Sequence, residues 1–320
     1  MNMKRFEKIG LTGLGCALGI AVILCTARLA VAEPPSDATY KGMKTCLMCH
    51  NGTHKELTAA FAKTAHPQAL RTPDEQNAIA AVFAADSPVK KEDIAFVLGV
   101  GHRHQAYIGK DMKTLPGQWD AKEKKWIPQP VLDAQQECMP CHVTGLDSAT
   151  KAYVDKGVAC EACHGPGSAH AATGDKTKIG QVSKLTPASQ AMICGRCHSV
   201  GVSKEGGLKY PAGLKYGADL ASVFTLSEVT GPKQNQQYNE WLTSKHAKGT
   251  VVVGCVMCHD VHGKASANEF QLKKPEVELC SGCHAGAIAK AEHPKIAAGM
   301  KCDMCHMPQG MHTFAVPAKG

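Results

Sequence analysis

Gly157-Val-Ala-Cys160-Glu-Ala-Cys163-His164-Gly-Pro-Gly-Ser-Ala-His170 is the stretch from which the rest of this chain can be read. Two thiols three residues apart, followed at once by an imidazole, form the attachment signature of a c-type haem. The thiols add to the porphyrin vinyl groups as thioethers, and the adjacent imidazole falls under the iron as the proximal ligand. The same five-residue pattern recurs at Cys46, Cys49 and His50, at Cys138, Cys141 and His142, and at Cys194, Cys197 and His198. It returns at Cys255, Cys258 and His259, at Cys280, Cys283 and His284, and at Cys302, Cys305 and His306. A zinc ribbon does not require a histidine after every second cysteine, and a disulfide framework gives no reason for one. Seven covalently attached haem c groups, with iron as the metal, are the expectation.

The composition fits that reading. Of 320 residues, aromatics make up 5% while hydrophobic residues reach 44%, so the chain is neither disordered nor built on an aromatic core of its own. Porphyrins are expected to fill the interior. The fold class that follows is mostly α with much irregular loop, the chain wrapped around a row of stacked haems. A helix is expected over 73–85, and short strands over 94–107 and 119–127, giving a small β element in 94–127.

Residues 1–32 carry Lys4, Arg5 and Lys8, an apolar run, and Ala30-Val31-Ala32 before Glu33, the pattern of a cleaved secretory signal peptide. No later apolar run is long enough to span a bilayer. The motif spacing suggests 33–137 as a first haem region with a haem-free flap and 138–200 as a cluster of haems 2–4. A connecting loop at 201–240 and a cluster of haems 5–7 at 241–320 complete this division. The formal net charge of +8 falls to +5 once Lys4, Arg5, Lys8 and Arg28 leave against Glu7. Haem propionates then offset the remainder, so the basicity does not point to a nucleic-acid partner.

Nine of the sixteen histidines lie outside the motifs. A surplus of this size suits bis-histidine, low-spin iron, which favours electron transfer over ligand chemistry. The expected distal ligands are His66, His104, His170, His246, His262, His293 and His312, with His104 preferred to His102, and His54 ranked last. His262, three residues after His259, is too close to cap its own haem and has to serve a neighbour. Phe61…Thr64…His66 and Trp241…Ser244…His246 share an aromatic five residues before, and a hydroxyl two residues before, a histidine. Met300, Met304, Met307 and Met311 crowd the last motif as gap fillers, and Met112 is isolated.

The stretch 157–170, Trp241-Leu-Thr-Ser-Lys-His246, Cys258-His259-Asp-Val-His262 and the run from His293-Pro294 to His306 resemble the multihaem c-type cytochrome superfamily. Similar members include the tetrahaem partner of hydroxylamine oxidoreductase and the decahaem periplasmic cytochromes of metal- and dimethyl-sulfoxide-respiring bacteria. The resemblance implies bis-histidine haem pairs, with His170, His246, His262 and His293 at distal positions. It also implies a periplasmic, outer-membrane-associated or extracellular place in a Gram-negative bacterium. The expected role is single-electron transfer between redox proteins in anaerobic respiration or extracellular electron transfer, an electron carrier and not an enzyme. The partners it implies are a quinol-oxidising membrane cytochrome and an outer-membrane or terminal reductase. Seven motifs are neither four nor ten, so haem order cannot be copied from either group. The alternatives are a multihaem reductase or oxidase of a small nitrogen or sulfur oxyanion, and a subunit of a cytochrome filament.

Overall fold

The computed structural model describes residues 32–265, 270–290, 293–295, 297 and 299–316, so the leader reading lies, but for its last residue, outside the described residues. Five strands form an antiparallel meander in chain order: β1 (Leu70–Arg71), β2 (Ile94–Leu98), β3 (His104–Gly109), β4 (Gly117–Asp120) and β5 (Lys125–Pro128). Val97 sits opposite Tyr107, and Trp119 opposite Trp126. These are β-branched and aromatic residues on a pleated, half-buried surface, where such side chains pack best. The Asp120 carboxylate accepts from the amides of Lys122 and Glu123 and so closes the β4–β5 turn.

The sheet overturns the mostly-α expectation: the architecture is mixed, and the β element reaches back to Leu70. The helix expected over 73–85 does not form. Its backbone partners come from side chains of the sheet. The Arg71 guanidinium donates to the carbonyls of Asn77 and Ala78, at 3.0 and 2.9 Å. The Gln105 amide donates to Ala78 O at 2.9 Å and accepts from Ala80 N at 2.8 Å. Carbonyls and amides held in this way are not available to an i to i+4 ladder.

Alternation along the strands divides two apolar clusters. Leu70, Leu98 and Ile108 pack with Ala134, Met139 and Val143, beside the second Cys-x-x-Cys-His motif. Val97, Tyr107 and Trp119 pack with Ala78 and Val89, and Phe83 and Trp126 close that side edge-on to neighbouring rings. A third cluster, around Leu220, Phe224, Tyr238 and Trp241, supports the fourth and fifth motifs. It includes Phe224 of a two-stranded ladder, Gly201–Ser203 with Phe224–Leu226, inside the segment expected as a loop.

The motif-bearing helices are different. Met43–Thr53, Glu276–Ile288 and Asp303–His306 contain no fully buried residue. One glycine fixes how the sheet meets the motifs. Gly157 has φ +75°, and a Cβ there would come within 2.1 Å of Pro67 O. Its amide donates to His142 O at 3.0 Å, and the next amide, Val158 N, donates to His66 O at 2.8 Å. Segment 66–71 is thereby laid against the second and third motifs.

Candidate metal centres

Most of the motifs occupy one short helical turn, among them Met139–His142, Cys160–His164, Cys255–Cys258 and Asp303–His306. Residues three and four apart share a helix face, so one turn sets two thiols and an imidazole on one side. All fourteen described cysteines are free thiols.

Six motif imidazoles face a second imidazole from elsewhere in the chain. The ring centres of His50 and His170 are 6.2 Å apart, those of His164 and His262 6.3 Å, and those of His259 and His312 6.2 Å. His306 and His293 are 6.2 Å apart, His198 and His66 6.3 Å, and His284 and His246 6.0 Å. A metal–imidazole bond of about 2.0 Å, with about 1.1 Å from nitrogen to ring centre, sets two trans imidazoles about 6.2 Å apart. Each pair is therefore separated by the distance that one iron between them requires.

The ring nitrogens are oriented for the same purpose. Nδ1 of His164, His259, His306 and His170 lies 2.8–2.9 Å from the carbonyls of Gly180, Phe270, Ala315 and Asp175. His142 is tied in the same way to Ala69 O at 2.9 Å, and His198 to the Gln237 side chain at 3.2 Å. A carbonyl on Nδ1 holds the proton there and leaves the Nε2 lone pair for a metal. Burial lowers the pKa of His50, His142, His198, His246, His259 and His262. His66 and His312 fall to about 4, through burial first and then a neighbouring imidazole. Neutral imidazole is the form that ligates.

The repeated aromatic–hydroxyl–histidine pattern has one local structure. Thr64 Oγ1 donates to Phe61 O at 2.9 Å, and Ser244 Oγ to Trp241 O at 2.7 Å, each closing the turn that leads into its histidine. His66 and His246 are also the two partners whose rings stand steeply to the motif ring, at 76° and 67°. The other four pairs lie within 20–27° of parallel.

The remaining histidines stand apart from this scheme. His54 lies 5.2 Å from His50, which already faces His170. His104, expected as a distal ligand, is placed between Gln234, on Nδ1, and Asp120, 3.6 Å from Nε2. His102 is exposed on a cleft of about 290 Å³ shared with Lys63, Gln68 and Arg71. His170 and His312, each six residues beyond a motif histidine, face the rings of other motifs. His262 lies opposite His164.

The thiols show which motifs are neighbours. Cys46 and Cys160 lie close enough to act on each other's ionisation, as do Cys141 with Cys197, Cys194 with Cys255, and Cys280 with Cys302. Cys197 also acts electrostatically on Cys163, and Cys283 on Cys258. Burial pushes the Cys138 and Cys163 thiols up to about 11, and burial followed by Cys302 takes Cys280 to about 12. Unmodified thiols are poorly placed to ionise there, whereas a thioether carries no charge to desolvate.

Two buried carboxylates in this network have no signal in the sequence. Glu161, inside the third motif, accepts from the amides of Lys41 at 3.0 Å and of Gly42 and Gly167, both at 2.7 Å. Glu240 accepts from His312 N at 2.7 Å and from the Gln236 amide at 2.9 Å. Their roles depend on segments far away in sequence.

Free paired thiols, imidazoles at iron-spanning distance and Nδ1 atoms held by carbonyls fit covalently bound haem. Comparison with known proteins agrees. Residues 102–165 match the family described as cytochrome c554 and c-prime, and 248–289 match the doubled CXXCH motif. The chain is 26% identical over 228 residues to the multiheme cytochrome MtrA of Shewanella baltica (strain OS185), covering 65% of this chain. It spans 57% of that curated relative's length. Among solved structures, the outer cell wall cytochrome OcwA superposes with a TM-score of 0.68 at 25% identity, over 87% of this chain and 80% of that one. An undecaheme cytochrome from the S-layer of Carboxydothermus ferrireducens shares the fold, with a TM-score of 0.56 at 23% identity, over 88% of this chain and 53% of that one. The protein is a multihaem cytochrome of the c type, holding haem covalently through its Cys-x-x-Cys-His motifs. Within that class it is related to MtrA and OcwA.

Proposed function

We propose that this chain is a heptahaem electron carrier working outside the cytoplasm, passing single electrons between redox proteins. The observation that carries the reading is the set of six imidazole pairs 6.0–6.3 Å apart. His50, His164, His198, His259, His284 and His306 act as proximal ligands, with His170, His262, His66, His312, His246 and His293 as their distal partners. The fourteen motif cysteines anchor the porphyrins. Bound haem supplies one-electron ferric/ferrous chemistry, and the protein sets each potential through axial ligands, burial and hydrogen bonding.

The thiol contacts suggest a route. Thiols of motif one act on those of three, three on four, four on five, five on six, and six on seven, which sets these motifs side by side. The second motif joins at the fourth through Cys141 and Cys197. Electrons then follow 1–3–4–5–6–7, with the second motif as a side branch. The cell-wall and S-layer settings in the names of two relatives support an extracytoplasmic place for this chain, with protein redox partners at either end.

Intact-mass analysis of the exported protein should give seven haems per chain. Electron paramagnetic resonance of the oxidised protein should resolve low-spin ferric signals of two kinds. Parallel imidazoles split the iron π orbitals and give rhombic signals, and steep ones leave them near-degenerate and give a large maximal g. Two of the six low-spin irons belong to the second kind. Fewer than seven haems, or high-spin iron predominating, would overturn the carrier reading.

A further inference from the structure

Helix Gln237–Thr243 leads to His246, the ring facing the sixth motif, and carries Glu240, whose side chain reaches His312, the ring facing the fifth. Glu240 Oε2 accepts from His312 N at 2.7 Å and lies 3.8 Å from His312 Nδ1, which also has Gly310 O at 3.1 Å. Glu240 Oε1 accepts from the Gln236 amide at 2.9 Å. Both oxygens accept, the pattern of a carboxylate and not of a neutral acid, which would donate from one of them. At 2% exposure this carboxylate has no bulk water to screen it. Arg103 comes near the same segment, with Nη1 3.7 Å from where a Cβ on Gly310 would lie. Among the described residues, however, no lysine or arginine forms an ion pair with Glu240.

The other ligand rings have neutral company. His259, opposite His312, has Phe270 O on Nδ1, and His198 of the fourth motif has the Gln237 side chain. Among the described residues, His312 is the only paired ring with a carboxylate at ion-pair distance; His104, which also has one, faces no motif ring.

We propose that Glu240 is a positioning residue that sets the potential of the fifth iron through His312, holding it below the irons of the fourth and sixth motifs. The proposal rests on the carrier reading above. Ferric iron carries one more positive charge than ferrous, so a fixed negative charge in a low-dielectric setting favours the ferric form. A carboxylate near the Nδ1 proton also makes imidazole a stronger donor to iron, which acts in the same direction. The fifth motif stands between the fourth and the sixth. Electrons delivered by a redox partner, each turning one ferric iron ferrous, then come to rest on either side of it. The row fills as two pools, 1–3–4 with its side branch and 6–7.

The test is a potentiometric titration of the exported holoprotein followed by electron paramagnetic resonance. The fourth and sixth irons are the two with steep rings, so their large-g signals mark them, and the fifth, at 27°, is rhombic. His312→Ala identifies the rhombic signal of the fifth iron as the one that is lost. On reduction of the unaltered protein, both large-g signals should vanish before that signal does. Glu240→Gln should move the fifth signal to higher potential and leave the large-g pair and the haem count unchanged. Glu240→Asp, which keeps the charge, should hold it below the Glu240→Gln value. If Glu240→Gln does not accumulate, the order of reduction in the unaltered protein still decides. A fifth signal lost before or together with the large-g pair would overturn the inference and leave the carrier reading standing. So would one that Glu240→Gln does not move, or equal shifts in the Gln and Asp chains, which would report packing and not charge. A haem count below seven would instead sink the broader reading.

Discussion

The meander of residues 70–128 and the segment 255–316 solve the same problem in opposite ways. The meander closes on its own side chains: Tyr107, Ile108 and Val97 are fully buried, and Trp119 and Trp126 meet edge to face. In the later segment, helix Glu276–Ile288 and helix Asp303–His306 contain no fully buried residue, and what those helices bring forward is thiols and imidazoles. One region gains its stability from area removed from water between protein groups, and the other depends on a covalently attached partner. A shortage of aromatic residues is thus not spread evenly along a multihaem chain. Two of its three tryptophans sit in the meander.

The sharpest way to break the comparison is Cys280→Ser with Cys283→Ser. The exported protein should lose one haem by mass, and limited proteolysis should cut within 270–316. The near-ultraviolet tryptophan signal of the meander should persist. Collapse of both regions together would show that the meander is not self-supporting.

Next in size is Glu161→Ala, at the junction between the two styles of packing. Three backbone amides would lose their acceptor, and each buried donor left unpaired costs about 1–3 kcal/mol. A loss of roughly 3 kcal/mol in denaturant unfolding is expected from several such donors, discounted for relaxation. Glu161→Gln should lose less, since one carbonyl oxygen remains. Equal losses would mean that charge, and not hydrogen bonding, is what the site needs.

Ser244→Ala is a smaller change with a specific readout. Without the Oγ bond to Trp241 O, the turn before His246 loosens, and the 67° ring angle is no longer held. One of the two large-g signals should shift toward the rhombic group with the haem count unchanged. Thr64→Ala should do the same to the other.

The smallest effect is expected at Glu75, which joins Thr72 of the meander to Lys156. Burial works to raise its pKa, but the Lys156 ammonium and the Thr72 amide and hydroxyl outweigh it, so the folded value lies below the ordinary glutamate value of 4.5. The unfolded chain then takes up its proton first. The stabilising contribution is complete above about pH 4.5 and is lost as pH falls through the folded value. Glu75→Gln should flatten that acid limb of the stability profile, with little change near neutrality, as for other exposed ion pairs.

The attachment residues were legible because five consecutive positions contain the whole motif. The strands over 94–127 were legible because their alternation is local. The helix expected over 73–85 was not realised, since Arg71 and Gln105 claim its backbone groups from neighbouring strands. The histidine surplus promised second ligands, but counting could not place His104 against Asp120 or leave His142 without a facing ring.

The sequence by itself determined where haem is attached, because thioether and proximal bonds lie within one helical turn. Only the tertiary structure decided which histidine meets which, and which motif stands next to which. Those pairings require rings to meet within about 6 Å across long stretches of chain, and chain reach over such lengths excludes almost nothing. Close approach at points such as Gly157 and Pro67 does the selecting.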